Sequence, residues 1–287
     1  MNVAFDCIPC TVQSCLRLLD AGFVDESKRE DLLRRTLAFL AEVDYDQSPP
    51  ALAQTMHRMF REALDDPDPY RDIKRDCNEM MIAKSDELRE VVRNAADPVA
   101  AAIRLAIAGN VIDFGAKNLF DPAETIAAVL EADLDIDDSA QLESDLESAR
   151  SVLYIGDNAG EIVTDAILLE TLGHPGVTFV VRGGPVINDA TAEDARLVGI
   201  DRFARVITTG DDAPGVIWET SSEEFRRAFA DADVVVAKGQ GNLEGLIDMD
   251  RTIYFLLTTK CERIAEHIGV GEKAFVVWKM KGRETNI

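Results

Sequence analysis

Histidine is scarce in this chain, basic charge is short, and no long hydrophobic run exists. The 287 residues hold three histidines, His57, His174 and His267. Their spacing suits neither a metal set nor a catalytic triad, so they read as surface or packing residues. Lys and Arg number 30 against 53 Asp and Glu, a formal net charge of −23. That shortage argues against nucleic acid and anionic membranes as partners, because both are bound through basic patches. No apolar run approaches the roughly 18 residues of a membrane span. Residues 1–10 lack the basic and apolar regions of a secretory signal, and a cytoplasmic location is the expectation. The cysteines are odd in number, Cys7, Cys10, Cys15, Cys77 and Cys261, which argues against a disulfide framework. There is no internal repeat and no low-complexity segment. The carboxylates are spread along the chain, as in proteins that stay soluble in high salt. A generally acidic cytosolic protein accounts for the same composition. In both cases most of these groups are solvated surface.

What is present suffices for a sizeable core, with a hydrophobic fraction of 47%. Helical periodicity covers 7–20, 25–43, 51–64, 70–94 and 98–108, then 121–132 and 139–148. Between them lie a glycine-bracketed polar turn, G-N-V-I-D-F-G at 109–115, and an acidic linker at 133–138. From residue 151 the period changes. Strands are predicted at 152–155, 177–181, 205–208, 234–237, 252–257 and 274–277, and helices at 161–172, 189–198, 222–230 and 261–268. Val- and Ile-rich strands alternating with helices indicate a mainly parallel sheet covered on both faces. The expected fold class is α/β, with a helical N-terminal region over 1–150 and a three-layer α/β domain over 151–287.

The polar residues of the second half collect at strand ends. The first predicted strand runs into Y-I-G-D-N-A-G-E, which carries Asp157 and Asn158. Ligands of open α/β sheets bind at such turns, but a carboxylate there repels a phosphate unless a cation stands between them. The second turn, R-G-G-P-V-I-N-D-A-T, delivers Asn188 and Asp189. Later turns read K-G-Q-G-N-L-E-G-L, with Lys238, Gln240, Asn242 and Glu244, and T-T-K-C, with Lys260. In a parallel sheet all of these share one edge.

Each piece also has an ordinary reading. Asp157 or Asp189 caps a helix, K-G-Q-G-N is a tight turn, and Lys260 is a solvated lysine. The glycines fit neither a Walker A loop nor G-x-G-x-x-G. Jointly they predict a divalent cation on hard oxygens from Asp157, Asn158 and Asp189, open to water and a substrate phosphate oxygen. Lys260 and the N–H groups around Gly239–Asn242 would balance the phosphate charge. Glu161 supports this cluster or complements the helix dipole.

Six motifs resemble, over nearly the whole chain, the metal-dependent damage-control phosphatase family in its archaeal and bacterial branch. They are C-I-P-C at 7–10, G-N-V-I-D-F-G, G-D-N-A-G-E, R-G-G-P-V-I-N-D-A-T, K-G-Q-G-N-L-E-G-L and T-T-K-C. The resemblance implies a helical N-terminal region packed on a Rossmann-like three-layer α/β/α domain. It implies Mn, Co, Ni or Mg at Asp157, Asn158 and Asp189. Substrate contacts are implied for Asn110, Gln240, Gly241, Asn242, Glu244 and Lys260. Asn110 would reach into the cleft from the helical region, making that region one wall. Asp113 holds that loop in place or is a simple turn-former.

The implied activity is hydrolysis of a small phosphorylated metabolite, such as a sugar phosphate or a damaged phosphometabolite. Asp157 and Lys260 are the expected catalytic residues. The nucleophile is a metal-bound water or the Asp157 carboxylate. No D-x-D-x-[TV] signature is present, so the haloacid-dehalogenase route is not indicated. Eukaryotic relatives have Asp where this chain has Gln240, so their substrate preferences do not carry over. A rival reading is a non-catalytic metabolite- or nucleotide-binding protein using the same cleft. A further one centres on Cys7 and Cys10, as a structural zinc site with Cys77 and His57 as weak further ligands, as a redox pair, or as two packed thiols.

Overall fold

The computed structural model describes residues 1–20, 22, 24–109 and 132–282. The predicted turn with Asn110 and Asp113, and the helix predicted from residue 121, lie outside the described residues. β2 (Val152–Ile155), β3 (Val177–Val181), β4 (Arg205–Thr208), β5 (Val234–Lys238) and β6 (Ile253–Thr258) pair in parallel. β7 (Phe275–Met280) runs antiparallel to β6 and carries the two-residue strand β1 (Ile136–Asp137) on its far side. The strand order is β1-β7-β6-β5-β2-β3-β4. The chain therefore moves outward from β2 to β4, then returns to the other side of β2 with β5.

Side-chain alternation along these strands feeds two cores. On one face Val152, Tyr154, Phe179, Val236 and Leu256 pack with α4 (Arg71–Asn94), α5 (Pro98–Gly109), α6 (Ser139–Ser148), α7 (Glu161–Leu172) and α8 (Ala192–Val198). On the other, Leu153, Ile155, Val235 and Phe255 meet α9 (Glu223–Asp231), α10 (Gly239–Leu246) and α11 (Glu262–Ile268). Each such fully buried side chain contributes roughly 1.5–3 kcal/mol, so these two layers are the main source of stability. The helices that follow β2 and β5 lie on opposite faces. That divergence opens a crevice at the carboxyl ends of β2 and β5, a topological switch point.

The N-terminal helices divide in two. α4 and α5 share the main core with the sheet, and α6 and β1, both before residue 151, are built into the same sandwich. α1 (Cys7–Asp20), α2 (Glu26–Ala41) and α3 (Pro49–Leu64) instead bury their own cluster of Cys15, Leu18, Leu32, Met56 and Phe60. The change of period at residue 151 marks where alternation starts, not where packing divides. Among the described residues no helix is long and apolar enough to cross a membrane.

Three local expectations are corrected. The acidic linker at 133–138 holds β1, because the Asp135 and Asp138 N–H groups donate to the Phe275 and Val277 carbonyls at 2.9 and 3.0 Å. The helix predicted from residue 189 starts at Ala192, since a capping box pairs the Thr191 N–H and hydroxyl with the Asp194 carboxylate at 2.8 and 2.7 Å. The K-G-Q-G-N segment is not a tight turn but the start of α10. Its glycines serve packing: a Cβ on Gly241 or Gly245 would collide with the Pro214 or Val216 carbonyl.

His57 is buried on α3, with its ring edge-on to Phe60 and Tyr70 at centroid distances of 5.4 and 6.4 Å. Burial, then the nearby Arg61 charge, lowers its pKa to about 3. The unfolded chain takes up this proton near pH 6.5, so stability falls as pH drops from about 6.5 toward 3. At pH 5 the loss is about 2 kcal/mol. Urea unfolding at pH 7.5 and pH 5 should show the wild type losing about that much more than His57→Phe. Parallel pH profiles for the two proteins would contradict this account.

Candidate metal and phosphate site

Backbone pairing fixes the turn after β2 before any side chain acts. The Ala159 N–H donates to the Asn188 carbonyl and the Ala190 N–H to the Asp157 carbonyl, each at 2.8 Å. The result is a short antiparallel bridge between Asn158 and Asp189. It brings Asp157, Asn158 and Asp189 together at the crevice. Across the crevice stands Gly239, at φ +77°, where a Cβ would collide with the Asp157 carboxylate.

A buried polar network runs beneath. Arg182, 1% exposed, leaves the end of β3 and joins both aspartates. Its Nε donates to Asp189 Oδ2 at 2.6 Å, and one terminal nitrogen reaches Asp157 Oδ1 at 3.3 Å. The other donates to Asn242 Oδ1 at 2.9 Å. Asn158 Nδ2 donates to Asp157 Oδ2 at 2.8 Å and to Glu161 Oε2 at 3.0 Å. Lys238 Nζ, fully buried, donates to Glu161 Oε1 at 2.6 Å, Asp165 Oδ1 at 2.7 Å and the Ala106 carbonyl at 2.9 Å. The Tyr154 hydroxyl also donates to Asp165 Oδ1, at 2.6 Å.

Four carboxyls, on Asp157, Glu161, Asp165 and Asp189, thus face two buried cations, Arg182 and Lys238. Burial, then Glu161 and Asp189, push the Asp157 carboxyl up to about 8, against Arg182 and Lys260. Burial also lifts Asp189, against Arg182, and raises Asp165 to about 6 against Lys238. For Lys238 burial disfavours the ammonium, but Asp165 and Glu161 outweigh it and hold the group charged. A carboxyl in the state of Asp157 takes up either a proton or a cation.

The donor set fits a hard divalent ion. It consists of two carboxylates and an amide that can present its oxygen by a half-turn. Asp157 and Asn158 are only partly buried, which leaves an open side. Among the described residues no three His, Cys, Asp or Glu side chains already stand as a metal cage. At Asp157 and Asp189 the Arg182 guanidinium holds the bridging position.

The other predicted residues fall in different places. Lys260 is exposed, its charge acts on Asp157, and its backbone N–H donates to Gln240 Oε1 at 3.0 Å. Gln240 Nε2 donates to Glu244 Oε1 at 2.9 Å, and burial raises Glu244 to about 6 despite that bond. Asn242 departs from its expected substrate contact. It is buried, with Nδ2 on the Gly156 and Lys238 carbonyls at 3.0 and 2.7 Å and Oδ1 on Arg182. Both Nδ2 hydrogens are thus donated to the backbone, and Oδ1 positions the guanidinium. Gly241 abuts the Pro214 carbonyl. Lys238 lies under the crevice rather than in it.

At Cys7 and Cys10, the residues of the zinc expectation, no set of three or more His, Cys, Asp or Glu side chains gathers among the described residues. Burial raises both thiols, against the thiolate that zinc binding or redox exchange uses. His57, the weak fourth ligand, is packed against rings instead.

Two residues escaped the sequence reading. Arg182 is one; an Arg directly after the strand run V-T-F-V-V was its signal. Asn78 is the other, a polar residue on the buried stripe of α4. Its Oδ1 accepts from the Gly160 N–H at 2.7 Å, and its Nδ2 donates to Asp194 Oδ1 at 2.8 Å. It ties α4 to both turns of the site. The Asp189 turn also carries strain. The Asp189 N–H closes on the Val186 carbonyl at 3.1 Å with Ile187 at φ +44°, a region that costs an L-residue about 1–2 kcal/mol.

Two substitutions test this geometry. Lys238→Met strands Glu161 and Asp165 without a cation, and urea unfolding should show a loss of about 3–5 kcal/mol. A loss within about 0.5 kcal/mol, typical of plain surface positions, would remove Lys238 from its role. Gly239→Ala drives a methyl into the Asp157 carboxylate at a positive φ. Titration with Mn²⁺ should show weakened binding, and unchanged binding would mean that Gly239 does not border the site.

Comparison with known proteins gives the family. The family described as "Damage-control phosphatase ARMT1-like domain" matches residues 3–276. A damage-control phosphatase of Pyrococcus horikoshii is 34% identical over 291 residues, covering 98% of this chain and 99% of that protein. One from Archaeoglobus fulgidus is 37% identical over 256 residues, covering 86% and 88%. The crystal structure of a DUF89 family protein from Pyrococcus horikoshii superposes with a TM-score of 0.89 at 33% identity, covering 98% of this chain and 100% of that one. The chain belongs to the damage-control phosphatase ARMT1-like family.

Proposed function

We propose that this protein is a metal-dependent phosphatase acting on a small phosphorylated metabolite. The observation that carries the reading is the set of hard oxygen donors gathered at the switch point. Two partly open residues, Asp157 and Asn158, stand with Asp189 over a network of carboxyls held by Arg182 and Lys238. Asp157, Asn158 and Asp189 would hold the ion, with Mn²⁺, Co²⁺, Ni²⁺ and Mg²⁺ as candidates. When bound, the ion supplies Lewis-acid polarisation of the phosphoryl group and charge neutralisation.

The chain's own residues do the rest. Arg182 holds the two aspartates at fixed separation, and Asn242 fixes the plane of Arg182. Lys260 is exposed, its charge acts on Asp157, and it would meet the non-reacting phosphate oxygens. Gln240 fastens the Lys260 backbone to α10 and so sets that reach. The attacking group is water or the Asp157 carboxylate, and in either case Asp157 must be unprotonated. A bound cation favours that form.

The test is a phosphatase screen of metals against phosphorylated metabolites, run in low and in high salt with wild type and Asp157→Ala. Phosphate release by the wild type should depend on the divalent ion and vanish with EDTA. In Asp157→Ala it should fall by roughly two orders of magnitude or more, as expected when several kcal/mol of charge stabilisation is lost. Equal rates in both proteins would sink the site. Metal binding without hydrolysis of any phosphoester would favour a binding protein.

A further inference from the structure

The turn that presents Asp189 is a reverse turn over 186–189, closed by the Asp189 N–H on the Val186 carbonyl. Its second residue, Ile187, has φ +44°, whereas Asn188 is not among the residues with positive φ. That pattern puts the left-handed requirement on the second position alone, where glycine is strongly preferred. A β-branched residue there is a genuine outlier. Such conformations persist only where the surroundings over-determine them.

The surroundings on one side are the sheet-edge bonds already described, which fix Asn188 and Ala190. On the other side they are the first helices. Ile187 lines a small cavity, about 10 Å³, with Leu18 of α1 and His57 and Phe60 of α3. Arg61 of α3 donates to the Pro185 carbonyl at 2.6 Å and pairs with Asp212. Asp212 also takes Gln54 Nε2 at 3.0 Å. Neighbouring Asp211 accepts the Gly183 N–H at 2.7 Å through its carbonyl. α3 thus meets the loop at Pro185 and beside Ile187, and reaches its Gly183 end through Asp212 and the neighbouring Asp211.

We propose that Ile187 is a positioning residue. Its side chain, seated against α1 and α3, holds the turn in the left-handed conformation that aims the Asp189 carboxylate at Arg182 and Asp157. The first three helices thereby set the geometry of the cation site without touching the ion. This rests on reading Asp189 as a metal ligand, but the positioning itself has a metal-free readout.

The experiment compares wild type, Ile187→Ala and Ile187→Gly as full chains. Hydrogen exchange without metal is followed for the peptide 183–191, and Mn²⁺ affinity is measured by calorimetry. Alanine removes the seat and keeps the strain, so the turn relaxes. Exchange in 183–191 rises, and Mn²⁺ binding weakens about tenfold or more, the usual cost of losing support for a ligand. Glycine removes the seat but adopts the turn freely, so it recovers part of what alanine loses in both readouts. Plain packing predicts the reverse order, because glycine removes more side chain and adds chain entropy. Glycine equal to or worse than alanine, or alanine equal to wild type in exchange, overturns the inference. If the wild type binds no Mn²⁺, the metal reading fails, and the exchange order still decides whether Ile187 positions the turn.

Discussion

Two buried cations among four carboxyls, three of them buried, are the constraint around which this molecule is arranged. An isolated ion inside a protein costs several kcal/mol, and removing one member of a buried pair is worse than never having it. Arg182 and Lys238 must therefore arrive together with the groups they neutralise. The sheet order meets that demand. Lys238 ends β5, Asp157 follows β2 and Arg182 follows β3, and these three strands are neighbours in the order β5-β2-β3. Glu161 and Asp165 stand one turn apart on α7, both fully buried and both aimed at Lys238. At the top of this stack Asp157 and Asn158 are partly open to solvent.

The sequence announced the sheet well and its fine structure less well. β2, β3, β4 and α7 have the predicted bounds, because Val- and Ile-rich runs bracketed by turn residues leave few alternatives. The pairing of Asp157 with Asp189 followed from a parallel sheet, since adjacent strand ends share an edge. Three things were not legible. The glycines of α10 looked like a turn because their reason lies across the fold, in the carbonyls of Pro214 and Val216. Asn78 is a single polar residue on a long amphipathic helix, and only its partners Gly160 and Asp194 give it meaning. The split of the N-terminal helices into a sandwich layer and a separate cluster depends on which apolar stripe meets which, and periodicity does not encode that.

That split assigns different work to the helical parts. α4 and α5 are as much a part of the central core as the strands are, and Asn78 reaches from α4 directly into the backbone of the Asp157 turn. α3 touches the α/β part through charged contacts. Arg58 and Arg61 converge on Asp212, and Arg61 reaches the carbonyl of Pro185. Polar contacts of this kind orient more than they stabilise. Stability is therefore concentrated in the sandwich, and geometry is refined from outside it.

The strand order also divides the site by distance along the chain. β2, α7 and β3 are contiguous, so the bridge between Asn158 and Asp189 closes over a short loop. β5 joins β2 across more than eighty residues, with Val152 paired to Val234. Closing loops costs more entropy as they lengthen. The carboxyl half of the crevice is thus local in the chain, and the lysine and glycine that complete it are not. One buried network is built from a short-range and a long-range part, and the long-range part carries the greater loop-closure cost.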